Sequence, residues 1–143
     1  MDETDQKLIN ALSTDARAPI STLARRLGLA RTTVQARLER LEHRGIITGY
    51  TVKLGEEAKS GRIRATVLLQ LDPRKGPLIL QRLKNMPEVQ VVHTSSGRFD
   101  MVLQLATRNT ARLDETLDTI GGIEGVRSSE SLIHLSTKFD RLL

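Results

Sequence analysis

The chain of 143 residues contains no cysteine. That absence excludes disulfides, thiolate metal sites and cysteine nucleophiles, and it agrees with a reducing cytoplasm. Long apolar runs are missing too, since the longest, residues 65–71, is interrupted by Thr66 and Gln70 and falls far short of the roughly 20 residues that a membrane helix needs. Residues 1–5 are acidic, unlike the basic start of a signal peptide. We therefore expect a soluble cytoplasmic protein with no membrane partner.

Patterns typical of an enzyme are also missing. The three histidines, His43, His93 and His134, are not spaced as metal ligands, and no serine stands in a Gly-x-Ser-x-Gly context. The glycine-rich residues 121–125 follow a predicted helix instead of opening one, which is typical of a helix end and not of a phosphate-binding loop. We expect no catalytic residues, no metal and no cofactor.

Positive charge is what the chain has in excess. Its formal net charge is +5 and its pI about 10.1, in a composition that is ordinary for a globular protein. Between residues 17 and 44, seven arginines stand against two glutamates, so this window alone carries 7 − 2 = +5. A local excess of this kind favours a polyanionic partner.

Residues 28–45 explain how such a partner would be bound. Val34, Leu38 and Leu41 recur at the spacing of one helical stripe. The opposite side carries polar or small residues: Thr32, Ala36, Glu39, Arg40 and His43. This is the profile of a helix that lies in a DNA major groove. A surface helix with a solvated charged face is the alternative, and this stretch alone does not separate the two.

The residues around this helix predict a helix-turn-helix. Asp2 is expected to cap a first helix that ends near residues 13–16, and Ser21 to cap a second helix. Gly28 supplies the turn into the third helix, predicted from about Arg31 to His43, and Gly45 lies where a left-handed terminal residue is expected.

The segment after Gly45 links two predicted domains. Residues 46–47 and 50–54 read as a short β-element, either a wing or the start of a linker strand, and residues 55–61 as an exposed connection. The predicted boundaries are 1–50 for the helix-turn-helix domain, 51–61 for the linker and 62–143 for a second domain.

The second half has the order β-α-β-β-α-β. Strands are predicted at 63–71, 89–94, 99–106 and 126–135, with one helix before Pro87 and another capped by Asn109 or Thr110 and ended by Gly121-Gly122. This order is that of a ferredoxin-like sandwich with both helices on one face of an antiparallel sheet. The fold class is thus α+β.

The other sheet face is predicted to carry apolar side chains. Leu68 is out of phase with its neighbours in the first strand, Val91 and Val92 are adjacent in the second, and Leu132 and Ile133 are adjacent in the last. An uncovered apolar face predicts sheet-to-sheet dimerisation. The alternative is a scatter of ordinary surface apolar residues.

The sequence resembles the Lrp/AsnC (feast/famine) family of transcription regulators over nearly its whole length. The matching segments in the first half are Asp2-x-x-Asp5, Asp15-Ala-Arg17, Leu23-Ala24-x-x-Leu27-Gly28-Leu29, Thr33-Val34-x-x-Arg37-Leu38-x-x-Leu41-Glu42 and Gly45-Ile46-Ile47-x-Gly49-Tyr50. Those in the second half are Pro87-Glu88-Val89, Ser96-Gly97-x-x-Asp100 and Gly125-Val126. The chain departs from the family at Ala30, where a capping serine is usual, and we expect little room for the terminal tails that some members add to their interfaces.

The resemblance implies a winged helix-turn-helix domain that binds double-stranded DNA, followed by a RAM-type domain that pairs chains. It implies a homodimer, a tetramer or octamer beyond it, and in many members a small amino acid bound between dimers. The expected DNA-binding residues are Ser21, Thr22, Arg31, Thr32, Thr33, Gln35, Ala36 and Arg40. Arg31 and Arg40 are assigned to phosphates, Thr32, Thr33, Gln35 and Ala36 to base edges, and Ser21 and Thr22 to a phosphate at the start of the second helix. Arg37 is either a further DNA contact or a structural residue paired with a glutamate of its own domain.

The resemblance also implies an effector site in the second domain. Its expected residues are His93, Thr94, Ser95, Gly97, Arg98, Phe99, Asp100, Leu132, Ile133 and His134, with Ser129 and Ser131 as weaker candidates. Asp100 can receive an ammonium group, and Gly97 lets the backbone approach a carboxylate. The alternative is that Gly97 is a hairpin glycine and Asp100 a turn residue.

Two other functions are alternatives for a chain of this kind. Sirohaem decarboxylases look similar in both domains, but they share an aromatic stretch with His and Arg, whereas this chain has Phe99-Asp-Met-Val-Leu there and only 2% aromatic residues. The second is a ligand-sensing module whose helix-turn-helix no longer binds DNA.

Overall fold

The computed structural model describes residues 1–141, which form two units. One comprises Met1–Lys53 and Arg141, and the other Leu54–Asp140. None of the described helices is long and apolar enough to cross a membrane.

The first unit is a bundle of three helices. They are α1 (Glu3–Thr14), α2 (Ile20–Leu27) and α3 (Arg31–His43). One apolar side of each packs into a common core that contains Leu8, Leu12, Leu23, Val34 and Leu41. Gly28 ends α2 with a φ of 66°, a left-handed conformation that glycine adopts without strain, and so allows the sharp turn into α3. The predicted helix-turn-helix is confirmed.

The helix caps differ in part from those predicted. Asp2 caps α1 as expected, and its side chain and that of Asp5 accept each other's backbone N–H. The prediction of Ser21 as the cap of α2 is wrong, because the cap is Pro19. The Pro19 carbonyl accepts the N–H groups of Thr22 and Leu23 at 3.0 and 3.1 Å, so the helix begins one residue before Ser21.

The β-element predicted at residues 46–54 is not formed, because within residues 1–141 every strand lies between Ile63 and Ile133. Among the described residues the segment has no neighbouring strand to receive its backbone hydrogen bonds. It is held by side chains, since Ile47 packs against the helical core and the Tyr50 hydroxyl donates to Glu42 Oε1 at 2.8 Å. The connection at 55–61 contains a short helix, α4 (Glu56–Lys59), which the sequence analysis did not predict.

The second unit has the predicted β-α-β-β-α-β order. Its strands are β1 (Ile63–Leu71), β2 (Val89–Thr94), β3 (Met101–Thr107) and β4 (Val126–Ile133), and its helices α5 (Gly76–Lys84) and α6 (Thr110–Gly121). The strands form one antiparallel sheet in the order β2-β3-β1-β4.

Two strand ends differ from the prediction. β3 begins two residues later than predicted, because Phe99 belongs to the turn, where its carbonyl accepts the Ser95 hydroxyl. β4 ends two residues earlier, after which the His134 N–H makes a last bond to the Arg64 carbonyl.

The sheet has one covered and one open face. Alternate residues of β1 and β3 are fully buried with Ile79, Leu83 and Ile120 of the two helices. The open face carries both apolar and polar side chains of the central strands: Leu68, Val102, Thr66 and Gln104. Leu132 beside Thr66 is 50% exposed and Val91 is 40% exposed. Apolar residues on this face are therefore confirmed, in a mixture with polar ones.

Candidate nucleic-acid interface

The exposed side of α3 presents a polar strip. Arg31, Thr32, Gln35, Ala36 and Glu39 line a shallow cavity of about 320 Å³. Arg31 forms no ion pair with any described residue, so its charge is available to a phosphate. Four predicted DNA contacts, two of them small, thus share one accessible surface on the helix, as close approach to a duplex requires.

Glu39 lies on the same surface and binds one of the predicted DNA-binding residues, Gln35. The Gln35 side-chain amide donates to Glu39 Oε1 at 2.8 Å, one helical turn along. This bond uses one of the two N–H groups of Gln35 and leaves the other N–H and the carbonyl oxygen for an adenine edge. The i, i+4 spacing of Gln35 and Glu39 was the signal in the sequence that could have shown this pair.

Arg37 is a structural residue. Its guanidinium donates to Asp2 Oδ2 at 2.8 Å and to Asp5 Oδ1 at 2.9 Å, and so joins α3 to the start of α1. The predicted glutamate partner is wrong, because the charge is balanced by two aspartates more than 30 residues earlier in the sequence. Asp5 is only 1% exposed, so it needs such a partner to remain charged.

Arg40 binds a carboxylate of its own domain and is also accessible at the surface. Its guanidinium lies 3.2 Å from Asp5 Oδ2, yet half of its side chain is exposed. A phosphate contact by Arg40 therefore competes with, or shares, its bond to Asp5. Arg31 has no such bond and is the simpler test of a phosphate contact.

These ion pairs shift the aspartate pKa values. The hydrogen bond from Arg37, together with the Asp5 backbone N–H, lowers the pKa of Asp2 to about 2. Burial opposes ionisation of Asp5, but hydrogen bonds from Arg37 and the Asp2 backbone outweigh it and hold the Asp5 pKa below its usual value. The carboxylates thus stay ionised at every pH at which DNA binding would be measured.

The other predicted DNA-binding residues lie in the first turns of α2 and α3. Ser21 and Thr22 are half-buried in the first turn of α2, and Thr33 is exposed in the first turn of α3. Ala30 stands at the cap position of α3 and offers no side-chain acceptor. Backbone N–H groups in the first turn of α3 therefore lack a capping side chain, and a phosphate oxygen could satisfy them.

The predicted effector residues of the β2–β3 turn are held mostly by their own chain. Gly97 adopts a φ of 111°, as a hairpin glycine does. The Asp100 carboxylate accepts the Leu71 N–H at 2.8 Å, and its own N–H donates to the Leu69 carbonyl at 2.7 Å. Arg98 lies 5.0 Å from the centre of the Phe99 ring and 3.6 Å from Glu130. One oxygen of the Asp100 carboxylate thus fixes the turn, and the other accepts no hydrogen bond from residues 1–141.

The remaining predicted effector residues lie at the other end of the sheet. Leu132 pairs with Thr66 near the start of β1, and His134 Nε2 is 2.7 Å from the Thr66 hydroxyl. The turn of Asp100 instead joins the end of β1 at Leu69 and Leu71. At about 3.3 Å per residue, the two groups are about 15 Å apart along the strands. One chain therefore does not bring Leu132, Ile133 and His134 to the Asp100 turn.

The metal-ligating side chains of residues 1–141 are scattered, since no three His, Asp or Glu residues come together there as a group that could hold a metal ion.

Comparison with known proteins identifies the architecture. The model of the AsnC-type helix-turn-helix domain matches residues 1–42, and the model of the Lrp/AsnC ligand binding domain matches residues 64–143. The chain belongs to the Lrp/AsnC family. It is an Lrp/AsnC-type transcriptional regulator with a helix-turn-helix and a ligand-binding domain.

Relatives of this Lrp/AsnC chain are regulators as well. The HTH-type transcriptional regulator FL11 of Pyrococcus furiosus is 32% identical over 94% of this chain and 89% of its own length. The solved structure of Escherichia coli AsnC has the same fold, with a TM-score of 0.90, 24% identity and coverage of 100% and 97% of the two chains. The feast or famine regulatory protein of Mycobacterium tuberculosis, solved with L-methionine, has a TM-score of 0.81 and 31% identity over 97% of this chain and 95% of its own.

Proposed function

We propose that α3 reads sequence in the major groove of double-stranded DNA and that this binding is sensitive to a small amino acid. In this proposal residues 1–50 bind DNA, residues 51–61 are the linker, and residues 62–143 bind the effector and pair the chains. The observation that carries the proposal is the exposed strip of α3, where Arg31 is unpaired within the described chain beside Thr32, Gln35 and Ala36.

In this proposal some residues contact phosphates and others contact base edges. Arg31 contacts a phosphate, with Arg40, Ser21 and Thr22 as further phosphate contacts. Thr32, Thr33, Gln35 and Ala36 contact base edges, where Gln35 is already oriented by Glu39. Phosphate contacts add affinity for every sequence, whereas base contacts change which sequence is preferred.

The test measures the DNA-binding constant as a function of salt concentration. One duplex comes from the DNA upstream of the protein's own gene, and the other is unrelated. Arg31→Ala is expected to weaken binding to both duplexes and to reduce the slope of log K against log salt by about one. Thr32→Val is expected to leave that slope unchanged and to change the preference between the duplexes. Arg82→Ala, on an exposed position of α5, is the control. Equal, sequence-blind effects of both α3 variants would contradict the assignment.

We further propose that the effector site is completed between copies of the chain. Within one chain the Asp100 turn and the segment 132–134 are about 15 Å apart along the strands. A second copy that supplies Leu132, Ile133 and His134 to the Asp100 turn would unite the predicted residues. The methionine complex of the mycobacterial relative supports an amino acid as the ligand.

This arrangement predicts that ligand binding and assembly are linked. The experiment titrates the full chain with L-methionine and a panel of other amino acids by calorimetry, with sedimentation velocity of the same samples. We expect one of them to bind and to change the distribution of oligomers. Binding of an amino acid to a monomer would contradict a site built from two copies.

A further inference from the structure

A second cavity lies at the edge of the second unit, away from the Asp100 turn. Its volume is about 610 Å³, within the range of about 300–1,000 Å³ that is typical of small-molecule sites. It is formed where β1 begins and where β3 passes into α6. Three arginines line it, Arg62, Arg108 and Arg112, beside Thr107 and Asn109.

The charge of this cavity is not balanced. Glu88 is the one acidic residue that lines it in the described chain, and Arg112 already binds this carboxylate through Nε at 2.8 Å. Arg112 also contacts Glu115 at 2.9 Å, on the same helix. Arg62 and Arg108 form no ion pair with any residue that the structure describes. Arg62 and Arg108 thus bring two positive charges to a concave surface whose one described carboxylate, Glu88, is already bound by Arg112 and also attracts Arg108.

The strand register brings these two arginines to neighbouring positions in the cavity wall. Ile63 of β1 pairs with Thr107 of β3, which places Arg62 opposite Arg108, one residue beyond the ladder. An anion bound beside both side chains would be attracted by two guanidinium groups. The start of α6, next to Asn109 in the cavity wall, adds the positive end of a 12-residue helix.

We propose that this cavity binds a phosphate-bearing small molecule, held between the Arg62 and Arg108 guanidinium groups. Arginine forks match phosphate oxygens in geometry and form charge-assisted hydrogen bonds with them. Phosphate could also come from the backbone of bound DNA. The concave shape and small-molecule volume favour a free metabolite, and the experiment distinguishes the two sources.

The probe is inorganic pyrophosphate, titrated by calorimetry into the full chain at constant ionic strength without DNA. We expect saturable binding of one pyrophosphate per chain with a Kd below about 1 mM. Arg62→Gln and Arg108→Gln are each expected to weaken it about tenfold, because each removes one charged fork. Arg82→Gln is the matched control, since Arg82 is an exposed arginine of α5 outside the cavity.

Unchanged circular dichroism and a urea midpoint no lower than that of the wild type establish that the variants are folded. Absence of saturable binding, or equal binding by wild type and the two cavity variants, would overturn the proposal. Loss of DNA affinity in these variants without any pyrophosphate binding would also overturn it and would assign the arginines to the DNA backbone. The test needs no amino acid and no target sequence, so its outcome is independent of the proposed regulatory function.

Discussion

Asp5 is the residue that connects α3, the helix proposed to read DNA, to the rest of its domain. It is almost fully buried and accepts hydrogen bonds from Arg37 and Arg40. With Asp2 it also forms the reciprocal cap of α1. Two carboxylates thus stabilise the start of one helix and fix the position of another.

These carboxylates make stability depend on pH. The folded-state pKa of Asp2, about 2, lies below its ordinary value of 3.8, so between these values the unfolded chain binds more protons. The stabilisation is complete above about pH 4 and is lost as the pH falls through 2. We expect the free energy of unfolding of the wild type, from urea denaturation, to fall more steeply from pH 5 to pH 2 than that of Asp2→Asn. The difference between the two slopes should correspond to at most about one bound proton.

Glu57→Gln is the control for this pH series, because Glu57 is exposed and forms no ion pair with a described residue. It should follow the wild-type curve. Parallel curves for wild type and Asp2→Asn would show that the Arg37 pair does not contribute to stability.

Gly125 is required by a close approach of two segments. A Cβ at this position would lie 2.4 Å from Lys75 Cβ and 3.1 Å from Ile79 Cδ1, and the backbone has a φ of +98°. Gly125→Ala should therefore lower the free energy of unfolding by about 1–3 kcal/mol, from urea denaturation. Gly55→Ala, where an added Cβ meets nothing within 4 Å, should change it by less than about 0.5 kcal/mol. Equal stability of the two variants would refute the steric argument.

At the scale of elements, the start of α3 has no side-chain cap, and adding one should stabilise the domain. Ala30 has the extended backbone of a cap residue but no side-chain acceptor. Ala30→Ser should increase the free energy of unfolding by about 1 kcal/mol, measured by urea denaturation, because the serine oxygen can accept a first-turn N–H. Ala16→Ser, at an exposed position between helices, should have no effect. No gain from Ala30→Ser would mean that these N–H groups are already satisfied.

The elements also show what the sequence can predict. The spacing of Val34, Leu38 and Leu41 places α3 correctly, and the period-two pattern of β1 gives its bounds at Ile63 and Leu71, because burial of one face imposes each period. The β-element at 46–54 was predicted wrongly, since a strand also needs a partner and local pattern does not supply one.

The candidate site was predictable only in part, for a similar reason. The helical period showed that Thr32 and Ala36 lie on the exposed side, where the structure has them. The partners of Arg37 lie 32 and 35 residues away in sequence, so only the packing of α1 on α3 shows them. The separation of Asp100 from His134 likewise depends on the strand register and not on residue type.

For the whole molecule, the open sheet face is the surface proposed to pair two chains. Leu132→Lys on this face should weaken the dimer by about tenfold or more in Kd, because burial of a leucine contributes about 1.5–3 kcal/mol. Leu78→Lys is the control, since Leu78 is an exposed leucine of α5, on the helical layer. Sedimentation equilibrium measures both. Equal weakening by the two variants would place the dimer interface elsewhere.

The central claim is that paired chains read DNA sequence through α3. Selection of binding sites from a pool of random duplexes by the full-length protein tests it most directly. We expect the recovered duplexes to share a two-fold symmetric motif whose half-sites are about one helical turn, or a multiple of it, apart. We also expect Ala36→Val to recover a different motif. Recovery of unrelated sequences, or of the same motif with Ala36→Val, would contradict the account.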